Sequence, residues 1–405
     1  MIMRNLENIF NATATAAAIA MRSKKRKMNQ KKQMKKIMDG TKVFLFISVL
    51  ILFNGCENAS CILNQSIPNT KPIMDSTNTV ALDSVKYDKV VKGFLNGREF
   101  SASLLIAEHG TITFCKSFGM ANYAKKIQNT SNTRYYISSM TKPITAVAIM
   151  QLVEKGLINT TDYITKYLPE CVDLKNITVI NLLTHSSGLA RNFSFESMSP
   201  SPEMMSHALK GLPLEFEPGS TYSYSSIGYY ILGIIIEKVT GQSFESYINE
   251  NIFKPAGMKY SGCGGNAQTF TEFAVGYSYY NGSLVQENMN MNTLFSAGCI
   301  YSNVIDMYLF NNALYNKKLL KSQTLNEMFT PLFDTDVKDR SMGIGWFISK
   351  VGNETFIEHG GLSNGYNSYI SSRISDGSVI VILSNIANPQ VGTKELIRFL
   401  YNKMD

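Results

Sequence analysis

The sequence predicts an α/β (α+β) fold: an antiparallel β-sheet flanked by helices, with a mainly helical inserted domain. Three observations carry this. Strand-like segments fall in two groups far apart in the chain, at residues 100–118 and 344–383. The stretch between them, from about residue 167 to 287, has mostly helical apolar spacing. A chain of 405 residues that is 44% hydrophobic and 17% charged can also bury a large core in one or two packed domains.

Taken in order, residues 100–107 and 111–118 flank His109-Gly110 and read as a hairpin. Tyr135-Tyr136-Ile137-Ser138 then runs into an apolar helical pattern that ends at Gly156. A helix beginning near Ser139 keeps Pro143 in the first turn, where amides have no intrahelical partner. Residues 177–183 are mostly apolar and lead into a turn at His185. Ile227 to Glu237 is an apolar helix with Gly241 placed for its C-cap. Strands are expected again over 344–350, 354–358, 366–373 and 379–383, with Asp376-Gly377 as a hairpin turn. Gln390 to Tyr401 reads as a closing helix. The expected domain is 83–405, with 83–166 and 288–405 as its α/β part and 167–287 as its insertion. A cleft between sheet and insertion is where a site is expected.

Ahead of that domain the composition changes. Residues 1–42 hold 11 of the 39 Lys+Arg and 2 of the 31 Asp+Glu, a net of +9. The rest holds 28 against 29, a net of −1, so the overall +8 does not describe the folded part. A near-neutral domain argues against a nucleic-acid-binding surface, although Lys24-Lys25-Arg26-Lys27 taken alone could be an RNA or nuclear address. An apolar run from Val43 to Phe53 follows Lys35, Lys36 and Lys42, the order of a signal peptide, and is too short to span a bilayer comfortably. It ends in Leu52-Phe53-Asn54-Gly55-Cys56, which resembles a bacterial lipobox with Cys56 as the lipidated residue. An uncleaved anchor and a signal peptide cut elsewhere are the alternatives. Met34 or Met38 would be the more ordinary start. Residues 1–56 are thus expected to be a basic extension and signal segment. Residues 57–82, rich in Asn, Ser and Thr with Pro68 and Pro72, are expected to be a flexible linker. With Cys56 lipidated, Cys61, Cys115, Cys171, Cys263 and Cys299 remain, an odd number that argues against a complete disulfide framework. No cysteine spacing suits a metal, and no internal repeat is present.

Chemistry concentrates at Ser139-Met140-Thr141-Lys142. Residues three apart share a helix face. A neutral, desolvated lysine there could take the serine proton, or a cationic one could support another base. The motif alone is weak, because a chain of this composition holds about one or two Ser-x-x-Lys by chance. Three further segments follow it: Leu182-Leu183-Thr184-His185-Ser186-Ser187-Gly188-Leu189, Pro218 to Tyr229 with Tyr222-Ser223-Tyr224-Ser225-Ser226, and His359-Gly360-Gly361. Ser296 to Ser302 and Gly343 to Trp346 are lesser matches. In this order, from about Asp83 to the C-terminus, the chain resembles the class C β-lactamase-like serine hydrolases. These are penicillin-recognising enzymes that include DD-peptidases, D-aminopeptidases and esterases.

The resemblance implies a β-lactamase/transpeptidase-like fold and an acyl-enzyme mechanism without cofactor or metal. It carries the nucleophile onto Ser139, the lysine onto Lys142 and the catalytic tyrosine onto Tyr224, as general base and as acid for the leaving group. A free phenol, with a pKa of ~10, needs a nearby ammonium such as Lys142 to serve as base, and sequence does not assign the proton between them. The amide of Ser139, at a helix N-terminus, can donate to the oxyanion. The resemblance gives Leu362 as the second donor. Ser226, His359, Gly360 and Gly361 fall at substrate-binding positions. Ser226 stands where the family usually has asparagine. His359-Gly360-Gly361 lacks the cation and hydroxyl of Lys-Thr-Gly, so carboxylate binding is expected to weaken roughly ten- to hundredfold. His185 is expected to be a structural turn residue, and His109 and His207 stand in no constellation. Gly361-Leu362-Ser363-Asn364-Gly365 matches the nucleophile-elbow pattern, but a strand rather than a helix is expected after it and no histidine follows.

The reading is a bacterial protein secreted across the inner membrane, a periplasmic or cell-envelope lipoprotein attached through Cys56. It would be a monomer that hydrolyses esters, small amides or D-amino-acid peptides. A true class C-type β-lactamase or penicillin-binding DD-peptidase is one rival. A non-catalytic module that binds cell-wall peptide is the other.

Overall fold

Alternation along two strands organises the molecule. In β1 (Ala102–Glu108) Leu104 and Ile106 face one way, and Leu105 and Ala107 the other. In β8 (Val379–Ser384) Ile380 and Ile382 oppose Val379, Val381 and Leu383 in the same manner. Side chains of a strand alternate with period two, so a strand buried throughout must be covered on both faces. One face carries α1 (Ser84–Leu95) and the C-terminal α6 (Thr393–Met404), which pack Tyr87, Val91, Leu396, Ile397 and Leu400 onto it. The other carries the larger core, built on α2 (Thr141–Glu154), α3 (Val179–Leu183), α4 (Ser226–Thr240) and α5 (Val304–Tyr315). Each large apolar side chain fully buried there contributes about 1.5–3 kcal/mol. Helix α2 is buried over Thr141 to Leu152, and α4 over Ile227 to Ile236, so both are enclosed all round, with Lys142 and Thr145 among the few polar groups that α2 buries.

This computed structural model describes residues 84–191, 211–264, 270, 272–288 and 290–404. The basic extension, Val43–Phe53, Cys56, the expected linker 57–82 and His207 lie outside the described residues. Among the described residues no helix is long and apolar enough to cross a membrane.

The sheet has eight antiparallel strands. After β1 come β2 (Thr111–Phe118), β3 (Phe333–Asp334), β4 (Arg340–Met342), β5 (Phe347–Val351), β6 (Glu354–Ser363) and β7 (Tyr366–Arg373), and the spatial order is β3-β4-β5-β6-β7-β8-β1-β2. The first hairpin turns at His109 (φ 49) and Gly110 (φ 79), the paired left-handed conformations that suit a two-residue turn. Strand β6 runs to Ser363, five residues beyond the expected end, because β7 pairs with it throughout, from Phe356↔Arg373 to Ser363↔Tyr366. Strand β5 begins at Phe347 rather than 344. Ile344 to Trp346 instead turn over α2, where Gly345 (φ 79) leaves only 2.4 Å between an added Cβ and Ala146. The stretch expected to be mainly helical also holds a hairpin, Tyr277–Tyr280 with Ser283–Gln286. Its turn is Asn281-Gly282 (φ 49 and 80), a short-range signal the helical reading passed over.

One charged group locks α6 to the sheet. Glu358 is fully buried and accepts hydrogen bonds from Ser349 Oγ (2.6 Å) and Arg398 Nη2 (2.7 Å), with Lys394 Nζ at 3.5 Å. Arg398→Met leaves the carboxylate with Ser349, Lys394 and the Tyr369 hydroxyl but without its guanidinium. The expected loss is about 1.5–3 kcal/mol, read from urea unfolding. A loss within about 0.5 kcal/mol would show that Arg398 is dispensable there.

Candidate active site

Ser139 lies in a single helical turn, Ser138–Met140, that opens directly into α2. Pro143 is the third residue of α2, where no intrahelical bond is lost, as the sequence suggested. The turn is held from three sides. Tyr135–Tyr136 pairs with Ile300–Ser302, which pairs in turn with Gly262–Cys263. The Ile137 amide donates to the Ile300 carbonyl at 2.9 Å. Ser138 sits at φ 51, a left-handed conformation that is costly for a residue with a side chain, and its hydroxyl is 2.6 Å from that of Ser363. Ser139 itself is partly exposed between the buried Ser138 and Met140.

Lys142 is buried at 1% exposure, with its amine 3.1 Å from Ser139 Oγ and 2.8 Å from the Ala297 carbonyl. The amine also lies 5.1 Å from the Tyr224 ring centre and 5.9 Å from that of Tyr229. No described carboxylate pairs with it, and burial pulls the ammonium down to about 7. The Ala297 carbonyl is presented by a turn, Met291–Ala297, in which Phe295 has φ 39. That turn is pinned to α4 by Ser296 Oγ donating to the Tyr229 carbonyl at 2.9 Å, and to α2 by Thr145 Oγ1 donating to the Ser296 carbonyl at 2.7 Å.

Tyr224 comes from the segment leading into α4, and its hydroxyl is hydrogen-bonded to Ser139. The ring is partly exposed while the hydroxyl end is enclosed, and that enclosure pushes the phenol up rather than down. The expectation that a nearby ammonium lowers it is therefore not met. Desolvation outweighs the other influences on the phenol, and the lysine is the group brought towards neutrality.

His185 plays a larger part than sequence suggested. It is buried, sits at φ 55, and its Nδ1 accepts the Ser225 amide at 3.1 Å. Its ring lies 4.2 Å from that of Tyr224 and 4.9 Å from that of Tyr229, so it fixes the face against which Tyr224 rests. Burial, reinforced by the Lys142 charge, keeps it neutral. Ser226 opens α4 two residues past Tyr224 and is partly exposed. His109 stays in its hairpin turn.

The third wall is β6. Its pairing with β5 stops at Phe347↔Glu358, so His359 to Ser363 form a free edge on that side. That edge presses against the Ser139 turn: a Cβ added to Gly361 would lie 2.1 Å from the Ile137 carbonyl oxygen. Leu362 follows on the same edge with its side chain 66% exposed. His359 is buried, its ring stacks on Phe347 at 5.2 Å, and its Nδ1 is 2.7 Å from the Gly360 carbonyl. Burial, with the Lys142 charge second, holds it down at about 3. Gly360 faces the Tyr369 ring, 3.0 Å from an added Cβ. Ser363 is followed by strand β7, without the helix that a nucleophile elbow needs.

Sequence profiles decide the ancestry, because that of the Beta-lactamase family matches residues 87–401. The chain belongs to the beta-lactamase family. It is 32% identical over 309 residues to PbpX of Bacillus subtilis (strain 168), a protein named for penicillin binding, covering 76% of each. The fold is shared with a class C beta-lactamase (TM-score 0.69, 20% identity, 81% of this chain and 98% of that one). It is shared too with the D-amino acid amidase of Ochrobactrum anthropi SV3 (TM-score 0.68, 22% identity, 78% and 99%). Members of the beta-lactamase family are generally serine hydrolases, and this member has the β-lactamase/transpeptidase fold. Two residues near its site had no role assigned from sequence: Ala297, which lies in the lesser match Ser296 to Ser302 and acts through its backbone, and Arg340, whose guanidinium lies 4.3 Å over the Phe347 ring.

Proposed function

We propose that this chain is a serine hydrolase that acts through an acyl-enzyme on esters and small amides, D-amino-acid peptides of the cell wall among them. One observation carries the reading: a buried amine, without a carboxylate partner among the described residues, 3.1 Å from a hydroxyl that is partly open to solvent. In this scheme neutral Lys142 takes the proton from Ser139 Oγ as that oxygen adds to the carbonyl carbon. The amides of Ser139 and Leu362 hold the developing oxyanion. Tyr224, kept protonated by its enclosure, passes a proton to the leaving group and recovers one from the Lys142 ammonium. Water then repeats the sequence on the ester bond to Ser139. Ser226, His359, Gly360 and Gly361 line the substrate's path.

A neutral His359 supplies no cation for a substrate carboxylate, which disfavours efficient turnover of β-lactams. Arg340 is the cation stacked on the ring that His359 and Tyr224 share, since Phe347 lies 5.2 Å from the first and 6.4 Å from the second. Arg340→Gln is expected to lower kcat/KM about tenfold for an ester bearing a carboxylate and to leave a neutral ester unchanged. Equal effects on both substrates would remove Arg340 from recognition.

The test of the function itself is intact mass after exposure to p-nitrophenyl esters, penicillins and D-Ala-D-Ala peptides, with a chromogenic cephalosporin as rival substrate. An acyl adduct on Ser139 with ester turnover supports the hydrolase. Fast cephalosporin turnover instead makes the chain a β-lactamase. Failure of a fluorophosphonate to label Ser139 makes it a binding module. Attachment of an exported monomer to the membrane through Cys56 completes the proposal and rests on the signal segment alone. Palmitate labelling lost in Cys56→Ser would support it, and labelling retained in that variant would end it.

A further inference from the structure

Cys263 and Cys299 are buried cysteines that no step above uses, 7% and 4% exposed. Gly262–Cys263 pairs antiparallel with the strand Ile300–Ser302, with Cys263 opposite Ile300. The ladder continues one step further, because the Gly264 amide donates to the Cys299 carbonyl at 2.9 Å. Cys263 and Cys299 are therefore diagonal neighbours. Strands about 5 Å apart with a rise of about 3.4 Å per residue put diagonal Cα atoms about 6 Å apart, inside the range a disulfide spans. In a regular ladder such neighbours point to opposite faces. Here Gly298 (ψ 4) breaks the strand just before Cys299, and the two thiols meet in a side-chain hydrogen bond.

We propose that Cys263 and Cys299 close a disulfide when the folding chain meets a disulfide oxidant, RSSR. One protein thiolate attacks RSSR, forming a mixed disulfide and releasing one RSH. The second protein thiol displaces the other RS group, which leaves as RSH. The two cysteines give up two electrons and two protons, and the oxidant becomes two thiols. The bond to the Cys299 sulfur, and burial after it, hold the Cys263 thiol in its protonated form once the domain has closed, so the exchange belongs to folding or to local opening. Export, proposed above, would bring the chain to such an oxidant.

The bond matters because of what it fastens. Cys299 lies two residues after Ala297, whose carbonyl holds Lys142, and the Cys299 amide donates to the Phe295 carbonyl at 2.8 Å. A covalent link to Cys263 ties this turn, with its left-handed Phe295, to the strand beside it. The inference is independent of whether Ser139 is acylated.

The test refolds the full chain from urea by dilution into oxidised glutathione, alkylates the remaining thiols and maps the peptides. The expected result is a Cys263–Cys299 linked peptide, with Cys115 and Cys171 alkylated. The thermal midpoint should rise by roughly 5–10 °C, reversibly with dithiothreitol. Full alkylation of both cysteines, or a different partner for Cys263, would overturn the proposal. Cys263→Ala should abolish the rise, and a rise that persists in that variant would overturn the staple as its source.

Discussion

Lys142→Met is expected to cut ester turnover by about 10³–10⁴-fold while making the protein harder to unfold at neutral pH. The two effects have one origin. A buried lysine with no carboxylate beside it resists protonation, and the cost of charging it is carried by the folded state. Its pKa is about 7 there, against 10.5 for an ordinary lysine. Below pH 7 both folded and unfolded chains hold the proton, and the full penalty is present. Between pH 7 and 10.5 the unfolded chain holds one proton more, so the stability of the wild type rises with pH across that window. The whole shift corresponds to about 5 kcal/mol at about 1.4 kcal/mol per pH unit. Methionine fills similar space without a charge, but it also gives up the bonds to Ala297 and Ser139, each worth about 1–3 kcal/mol. The variant should therefore gain most at pH 6 and little or nothing at pH 9. Urea midpoints of both proteins at those two pH values check this, and parallel slopes would refute it. In the wild type, kcat/KM for a neutral ester should climb through about pH 7 as the amine loses its proton. A level profile from pH 5 to pH 9 would remove Lys142 as the proton acceptor.

Gly361→Ala should have the next largest effect, for a steric reason. The added carbon would lie 2.1 Å from the Ile137 carbonyl oxygen and 2.4 Å from Ser368 Oγ, itself bonded to that carbonyl at 2.8 Å. The nearest atom is backbone and the next is a buried hydroxyl bonded to it, so the β6 edge must move away from the Ser139 turn. A displacement of about 1 Å between nucleophile and oxyanion donors costs on the order of 100-fold in rate, and the overpacking costs about 1–3 kcal/mol of stability. Gly93→Ala is the control. It lies in α1 with nothing within 4 Å of the added carbon, and it should leave kcat/KM unchanged. Unimpaired turnover in Gly361→Ala would mean that the strand edge does not define the distance across the site.

How much of this was legible in the sequence depends on the kind of contact involved. Hairpins and the paired strands near the C-terminus were readable because alternation and turn residues are local signals, as at His109-Gly110 and Asp376-Gly377. The hairpin at Asn281-Gly282 carried the same signal and was lost among neighbouring helical segments. Ser139 and Lys142 were found together because three residues in a helix bring them together. Tyr224 was reached through its flanking motif. The direction of its proton affinity was not readable, since that depends on how far the hydroxyl is enclosed. Ala297 fell within the lesser match Ser296 to Ser302, but its hold on Lys142 was not readable because any residue offers the same carbonyl. His185 looked like a turn residue and is one, yet its ring also backs Tyr224, a contact that exists only after the chain has folded.

The sheet separates two sides of the molecule. Ser139 lies on one, and Ser84, the first described residue, begins α1 on the other. A surface or carrier coupled ahead of Ser84 would thus hold the protein by its back. Immobilised in that way, the protein should keep its reactive hydroxyl turned to the bulk solution.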